Sequence, residues 1–293
     1  ATHRRLTLAR RPLGVVTDTA CDLSDEILAA HGIQLVPLGI VTGEKTLLDR
    51  LEVSAVDFHR RLREENTLFT TSQPSPGAFV DAMTRAAVDA EELLVITLGS
   101  GLSGTFRSAQ AATHTFRDAP VHLVDTQGVS LLQGLLVLKA AELAEVGWAA
   151  AEIVQEVARI RNQSGIFLTV DRFDRLVASG RVGASTAWVG SRLGVKPILS
   201  VDRQGKVQRA GQVVGKERLL PALLARLEEA IPSGARKVRF GVVHVGVPEA
   251  VDSIVRALRS RFGEVEILHA AATPVLATHV GLGAWAVAFM VED

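Results

Sequence analysis

Three glycines and two serines stand in the stretch Leu98-Gly99-Ser100-Gly101-Leu102-Ser103-Gly104-Thr105, directly after the apolar run Leu93-Leu94-Val95-Ile96. Glycine lets a backbone turn sharply and approach a ligand closely. Amide groups at a helix start favour an anion, and serine hydroxyls supply further donors. The pattern predicts a buried strand over 93–98, a helix over 103–115, and between them a site for a negatively charged group at the carboxyl end of a strand. A plain strand-to-helix turn does not need two hydroxyls interleaved with three glycines. A second polar cluster, Phe69-Thr70-Thr71-Ser72-Gln73-Pro74-Ser75-Pro76, holds four hydroxyls in the six residues 70–75. One serine suffices to cap the helix expected over 76–90, which leaves Thr71 or Ser72 for a ligand. A third candidate is His279, alone in an apolar run. On its own such a histidine reads as a satisfied core residue.

The elements around these clusters alternate. Strands are expected over 13–17, 33–41, 93–98 and 121–124, and helices over 24–31, 54–66, 76–90, 103–115, 130–146 and 149–164. The alternation of strand and helix predicts a parallel sheet with helices on its faces. Beyond residue 164 the pattern changes. Strands at 165–170, 237–244, 264–270 and 284–290 mix with helices at 172–178, 186–193, 215–231 and 248–262. Residues 197–209 read as a hairpin turning at Asp202-Arg203-Gln204-Gly205. The fold class expected is therefore two-domain α/β: an N-terminal parallel-sheet α/β domain over 1–164, and a C-terminal α+β domain with a mixed or antiparallel sheet over 165–293.

Composition narrows the function. The 293 residues carry 32 basic and 32 acidic side chains, so no basic field points to nucleic acid. The single cysteine, Cys21, excludes an internal disulfide framework and fits a reducing, cytoplasmic setting. No secretory signal is read at the N-terminus, and the arginines of residues 1–11 read as a solvated leader. The stretch 270–291 has the length of a membrane span, but Thr273, Pro274, Thr278 and His279 interrupt it. It is expected to belong to a core, without stable membrane insertion. Asp18 and Asp22 read as turn and capping residues, since no histidine–acid cluster at metal-ligand spacing accompanies them. Gly99-x-Gly101-x-x-Gly104 with Asp125 meets the letter of the dinucleotide fingerprint, and an oxidoreductase using that loop is the alternative reading. It is weakened by the position of the loop at a late strand and by the extra serines.

Taken together, the motifs resemble those of the DegV family of fatty-acid-binding proteins. Asp18-Thr19-Ala20-Cys21-Asp22-Leu23 is similar to the family's opening Asp-Ser-x-x-Asp-Leu. Thr71-Ser72-Gln73-Pro74-Ser75 matches its Thr-Ser-Gln-Pro-Ser signature, and Ser100-Gly101-Leu102-Ser103-Gly104-Thr105 its Ser-x-Leu-Ser-Gly-Thr loop. Val124-Asp125-Thr126, Gln133-Gly134, Gly180-Arg181, Lys196-Pro197 and His279-Val280-Gly281 follow in order. Ser179 departs from a usual glycine, and Val280 and Leu282 depart from a His-Thr-Gly-Pro-Gly ending. The resemblance implies a long-chain fatty acid such as palmitate clasped between two domains, with no cofactor and no catalytic residue. It places the carboxylate near Thr71, Ser72, Ser100, Gly101, Ser103 and His279, gives Arg181 a domain-bridging or partner-contact role, and names a fatty acid kinase catalytic subunit as the partner. The mean hydropathy of +0.24 suits an aliphatic tunnel and an ordinary aliphatic core equally.

Overall fold

The structure, a computed structural model, describes residues 11–65, 67–182 and 194–293. Residues 1–10 of the expected leader and the helix expected over 186–193 lie outside them; Arg11, read as part of that leader, instead opens the first strand and pairs with Ala90. Strand β1 (Arg11–Asp18) leads through a 3-10 turn to α1 (Asp25–Ala30), then β2 (Gln34–Val36), β3 (Gly39–Thr42), β4 (Lys45–Leu48) and α2 (Ala55–Glu64). There follow β5 (Thr70–Ser72), α3 (Pro76–Ala87), β6 (Ala90–Thr97), α4 (Thr105–Thr113), β7 (Val121–Asp125), α5 (Ser130–Glu145) and α6 (Ala150–Asn162). The remainder comprises β8 (Gly165–Thr169), α7 (Asp174–Ala178), β9 (Val195–Val201), β10 (Val207–Val214) and α8 (Leu219–Ala230). It closes with β11 (Val238–His244), α9 (Glu249–Phe262), β12 (Glu266–Ala271), α10 (Pro274–Val280) and β13 (Trp285–Val291).

Four strands form a parallel sheet in the order β2-β1-β6-β7, and six form a mixed sheet in the order β10-β9-β8-β13-β11-β12. A small antiparallel sheet, β4-β3-β5, stands beside them. The expected single strand over 33–41 divides at Pro37 into β2 and β3, which enter different sheets. A proline has no amide to continue a ladder, so the chain changes partners there. The hydroxyl-rich stretch before α3 contributes β5. The helix expected over 215–231 starts later, at Leu219, after a 3-10 turn over Lys216–Arg218.

Helix α5 explains how the sheets combine. Its apolar residues surround it on all sides, and most are buried, including Leu131, Leu132, Leu135, Leu136 and Val137. A helix apolar all round must be covered all round. One face meets β1 and the other meets β11 and β13. On β13, Ala286, Ala288 and Met290 belong to the core that contains α5, while Trp285, Val287, Phe289 and Val291 belong to the core under α8 and α9. This is the two-residue alternation of a strand buried on both faces. Close approach requires small residues: a Cβ on Gly134 would fall 2.3 Å from the Cys21 carbonyl oxygen, and one on Gly241 2.6 Å from Leu131 Cβ. The outer face of the parallel sheet is covered by α3 and α4, whose Phe79, Met83, Ala109 and Ala112 pack on Val16, Leu93 and Val95.

Candidate functional site

A cavity of about 390 Å3 opens where the two large sheets and the small sheet meet. That is within the range of about 300–1,000 Å3 usual for small-molecule sites. Its walls are mainly aliphatic: Ile166 and Leu168 from β8, Val201 and Val207 from the hairpin, Val243 and Val245 at the end of β11, and Val275, Leu276 and Val280 of α10. Its polar lining among the described residues comprises Thr71, Ser72, Gln73, Ser103, Ser130, Arg181 and His279, with no aspartate or glutamate among them.

Several of these polar residues make contacts across long sequence separations. Thr71 Oγ1 lies 2.9 Å from His279 Nε2. Gln73 Nε2 donates to Ser108 Oγ at 3.0 Å, and its side chain passes so close to Gly104 that a Cβ there would lie 1.8 Å from Gln73 Oε1. A side chain at Gly104 would therefore displace the end of the glutamine. Arg181 Nε donates to the Leu102 carbonyl at 3.3 Å and its Nη1 to the Ser179 carbonyl at 2.5 Å. The result is a polar arc on an otherwise hydrocarbon wall.

Each member is positioned by its element. Thr71 and Ser72 lie on β5, which pairs with β3 in the register Gly39↔Ser72 and Ile40↔Thr71. A Cβ at Gly39 would lie 2.3 Å from Ser72 Oγ, so the glycine makes room for the serine. His279 sits in the last turn of α10, which stops at Gly281 (φ 75°). Asp22 fixes the start of α10, accepting the Thr273 amide on Oδ1 at 2.8 Å and the Ser130 hydroxyl on Oδ2 at 2.6 Å. It thereby joins the first turn of the chain to the start of α5 and the start of α10. Asp18 accepts the Ala20 amide and, across the sheet, the Leu98 amide at 2.8 Å. The expected turn roles of both aspartates are present, and each also makes a long-range tie. The one signal for those ties is that both acids stand within the apolar setting of Val15, Val16, Cys21 and Leu23.

Electrostatics define the donor set. Burial, aided by the positive charge of Arg181, lowers the His279 pKa to about 4, so the ring is neutral near pH 7. A neutral ring holds an anion as an N–H donor, not as an imidazolium. Its Nδ1 is buried without a hydrogen-bond partner. A buried polar atom left unpaired is costly and calls for an explanation; a ligand atom supplies one.

The structure brings Thr71, Ser72, Ser103, Arg181 and His279 to this cavity, but not Ser100 or Gly101. Ser100 is exposed, and its amide is held by Asp125 Oδ1 at 3.1 Å. Gly101 packs under the hairpin turn, where a Cβ would lie 2.3 Å from the Gln204 carbonyl oxygen. That turn is tied down by Arg161, which donates to the carbonyls of Thr126, Gln127 and Asp202. Helix α4 begins at Thr105, two residues later than expected, because Ser103 Oγ accepts the Thr105 amide. Sequence reasoning missed Gln73 and Ser130 as lining residues. Gln73 lay within a quoted motif, whereas the left-handed φ of 59° at Ser130 had no signal in the sequence.

The stretch 270–291, weighed as a membrane span, instead completes β12, forms α10 and forms β13. Among the described residues no helix is long and apolar enough to cross a membrane.

Fold and cavity together define an α/β protein with a largely apolar cavity where its sheets meet. The chain belongs to the DegV family: residues 12–292 match the family model described as "Uncharacterised protein, DegV family". A DegV domain-containing protein of Deinococcus radiodurans is 36% identical over 229 residues, covering 78% of this chain and 81% of the relative. Among solved structures, a DegV family protein from Thermus thermophilus described as binding fatty acid superposes with a TM-score of 0.89 at 28% identity, covering 96% of this chain and 99% of the other. DegV of Bacillus subtilis, described as a fatty acid binding protein, gives a TM-score of 0.87 at 29% identity, with 96% and 99% covered.

Proposed function

We propose that this protein binds a long-chain fatty acid such as palmitate, with the carboxylate at the polar arc and the acyl chain in the aliphatic chamber. It would present that carboxylate to a fatty acid kinase catalytic subunit for acyl phosphate formation and carry out no catalysis itself. The observation that carries the reading is the chamber: hydrocarbon walls, no acidic lining residue, and one cluster of neutral and cationic donors that includes Thr71, Ser72, Ser103 and His279. Burying about 14 methylenes at ~0.8 kcal/mol each supplies on the order of 10 kcal/mol before the costs of association. Hydrocarbon thus provides affinity, and the arc decides which end of the ligand it holds. Fatty acid binding by the Thermus and Bacillus relatives supports the assignment. The kinase partnership rests on the motif resemblance set out above.

The dinucleotide alternative loses its chemistry in the loop. The amides of Gly99, Ser100, Leu102, Ser103 and Thr105 are all engaged within the protein. Asp125, which would hold a ribose, accepts the amides of Ser100 and Gln127 instead. Native mass spectrometry of protein purified from cells distinguishes the two readings. A co-purified mass of a few hundred daltons, extractable into organic solvent and identified as a fatty acid, is expected. Enhancement of NADH fluorescence with no bound lipid and no uptake of added palmitate would overturn the proposal.

A further inference from the structure

Beside the chamber lies a smaller compartment of about 180 Å3. It shares Thr71, Arg181 and His279 with the chamber, so the two meet at the polar arc. Its remaining polar lining is Thr70, Ser179, Thr278 and Arg175, and again no aspartate or glutamate is found among the described residues that line it. Two guanidinium groups therefore border one small hollow without a carboxylate among its walls.

Arg175 is the unexplained member. It stands on α7, packed against Gly281 at the end of α10, where a Cβ would lie 3.0 Å from Arg175 Cδ. Its Nη1 is buried and has no hydrogen-bond partner among the described residues. The neighbouring acid Asp174 is engaged by Arg172 at 2.7 Å. A buried guanidinium N–H left empty is expensive, and its planar fork suits a carboxylate or a tetrahedral oxyanion. The carboxylate position is already provided on the chamber side by Thr71 and His279. What remains for the outer compartment is an anion attached to, or sitting just beyond, that carboxylate.

We propose that this compartment is a subsite for a phosphate-class oxyanion, held by Arg175 with Arg181, Thr70 and Ser179, immediately outside the position of the fatty acid carboxylate. Two sources share this chemistry: free inorganic phosphate, and the phosphoryl group of an acyl phosphate whose chain occupies the chamber. The second source rests on the fatty-acid reading above. Through it the protein would grip the phosphorylated acid by one more charged contact than the free acid.

The test measures binding of three ligands to the full chain and to Arg175→Met, which keeps the side-chain length and removes the charge. The ligands are palmitate, a non-hydrolysable 2-oxoalkyl phosphonate of matching chain length, and inorganic phosphate followed by phosphorus NMR line broadening. Arg175→Met is expected to weaken the phosphonate by about tenfold or more while leaving palmitate within twofold, and Arg175→Lys to fall between, with thermal melting unchanged. Phosphate that broadens only with the wild-type protein assigns the site to the free ion as well; phosphonate loss without phosphate broadening assigns it to the acyl phosphate alone. Arg175-dependent phosphate binding with no uptake of palmitate would sustain the subsite and refute the fatty-acid reading. Palmitate binding with phosphonate affinity indifferent to Arg175, or equal losses for palmitate and phosphonate, overturns the subsite and leaves the fatty-acid reading standing. Failure of all three ligands refutes both.

Discussion

Replacing Thr71 by valine removes one hydroxyl and keeps the branched shape that β5 accommodates. In the free protein that hydroxyl is 2.9 Å from His279 Nε2, while Nδ1 of the same ring already lacks a partner. The variant therefore strips the arc of a donor and leaves the imidazole unpaired at both nitrogens. A hydrogen bond to a charged group contributes about 1.5–3 kcal/mol, and one between neutral groups about 0.5–1.5 kcal/mol. The expected loss for a fatty acid is thus about 10- to 150-fold in Kd, against about 2- to 12-fold for its methyl ester. Competition against a fluorescent fatty acid, run with the acid and the ester at neutral pH, reads both numbers. Ser100→Ala serves as the control: Ser100 is exposed and lies off the cavity, so neither ligand should lose more than about twofold. Equal losses for acid and ester would refute a carboxylate at Thr71, and a larger effect from Ser100→Ala than from Thr71→Val would refute the placement of the arc.

Two other outcomes follow from the geometry. Ala286 lines the chamber from the centre of the mixed sheet; Ala286→Leu adds three carbons there and should displace about three ligand methylenes. At ~0.8 kcal/mol each this weakens a sixteen-carbon acid roughly 60-fold while sparing an acid three or four carbons shorter, and uniform losses across a chain-length series would contradict a chamber closed at that wall. The second concerns pH. Burial lowers His59 and His279 to about 4 and raises Asp18 and Asp22 to about 6 and Asp49 to about 7. On unfolding between pH 4 and 6 the histidines take up protons and the aspartates release them. The histidine contribution is fully present above the unfolded value near 6.5 and is lost as pH falls toward 4. The aspartate contribution is present below the unfolded value near 3.8 and is lost as pH rises through 6 to 7. The two oppose each other, so His279→Gln should make stability fall more steeply with rising pH in that window, by up to about 1.4 kcal/mol per unit. Urea unfolding at several pH values measures the slope, and an unchanged slope would show that His279 is not held neutral by the fold.

Much of this architecture was legible because it is local. Ser24, Ser54 and Ser75 each accept an amide three residues on at the start of a helix, as capping chemistry predicts. The mixed sheet announced itself through the hairpin turn at Asp202–Gly205 and through apolar runs such as Phe240–Val243. What the sequence concealed depends on distance. No spacing rule places Thr71 beside His279 across 208 positions, or Asp22 beside Thr273 across 251; the motif resemblance supplied the first pairing and nothing supplied the second. Gly101 and Gly104 carry a further lesson. Read locally they look like an anion loop, but each comes up against a distant part of the protein, Gly101 against the backbone of the hairpin turn and Gly104 against the end of the Gln73 side chain. A glycine pattern reports that something comes close, and only the fold says whether that something is a ligand or the protein itself.

The position of the chamber follows from where α5 begins. On the inner face of the mixed sheet, β11 and β13 pair in the register Gly241↔Ala288 and Val243↔Ala286. The first turn of α5 rests on this face at Gly241, where Leu131 fills the space that a Cβ would need. Small residues at that level let the helix approach and close the core. One step further along the same face, at Val243 and Ala286 and then Val245 and Ala284, the helix has ended, because the chain enters it at Ser130 with a left-handed backbone fixed by the bond to Asp22. The alanines continue but nothing descends to cover them, and these residues line the chamber together with Val129 and Ser130. The same alternation that packs the core therefore leaves the hollow. Its size is set by the side chains of β13 and the hairpin, whereas its polar end is set by β5, α10 and the loop after β6. On the proposed function, chain-length preference and head-group recognition would be carried by separate elements, and the Ala286 and Thr71 substitutions should act independently, with their effects on binding adding in the double variant.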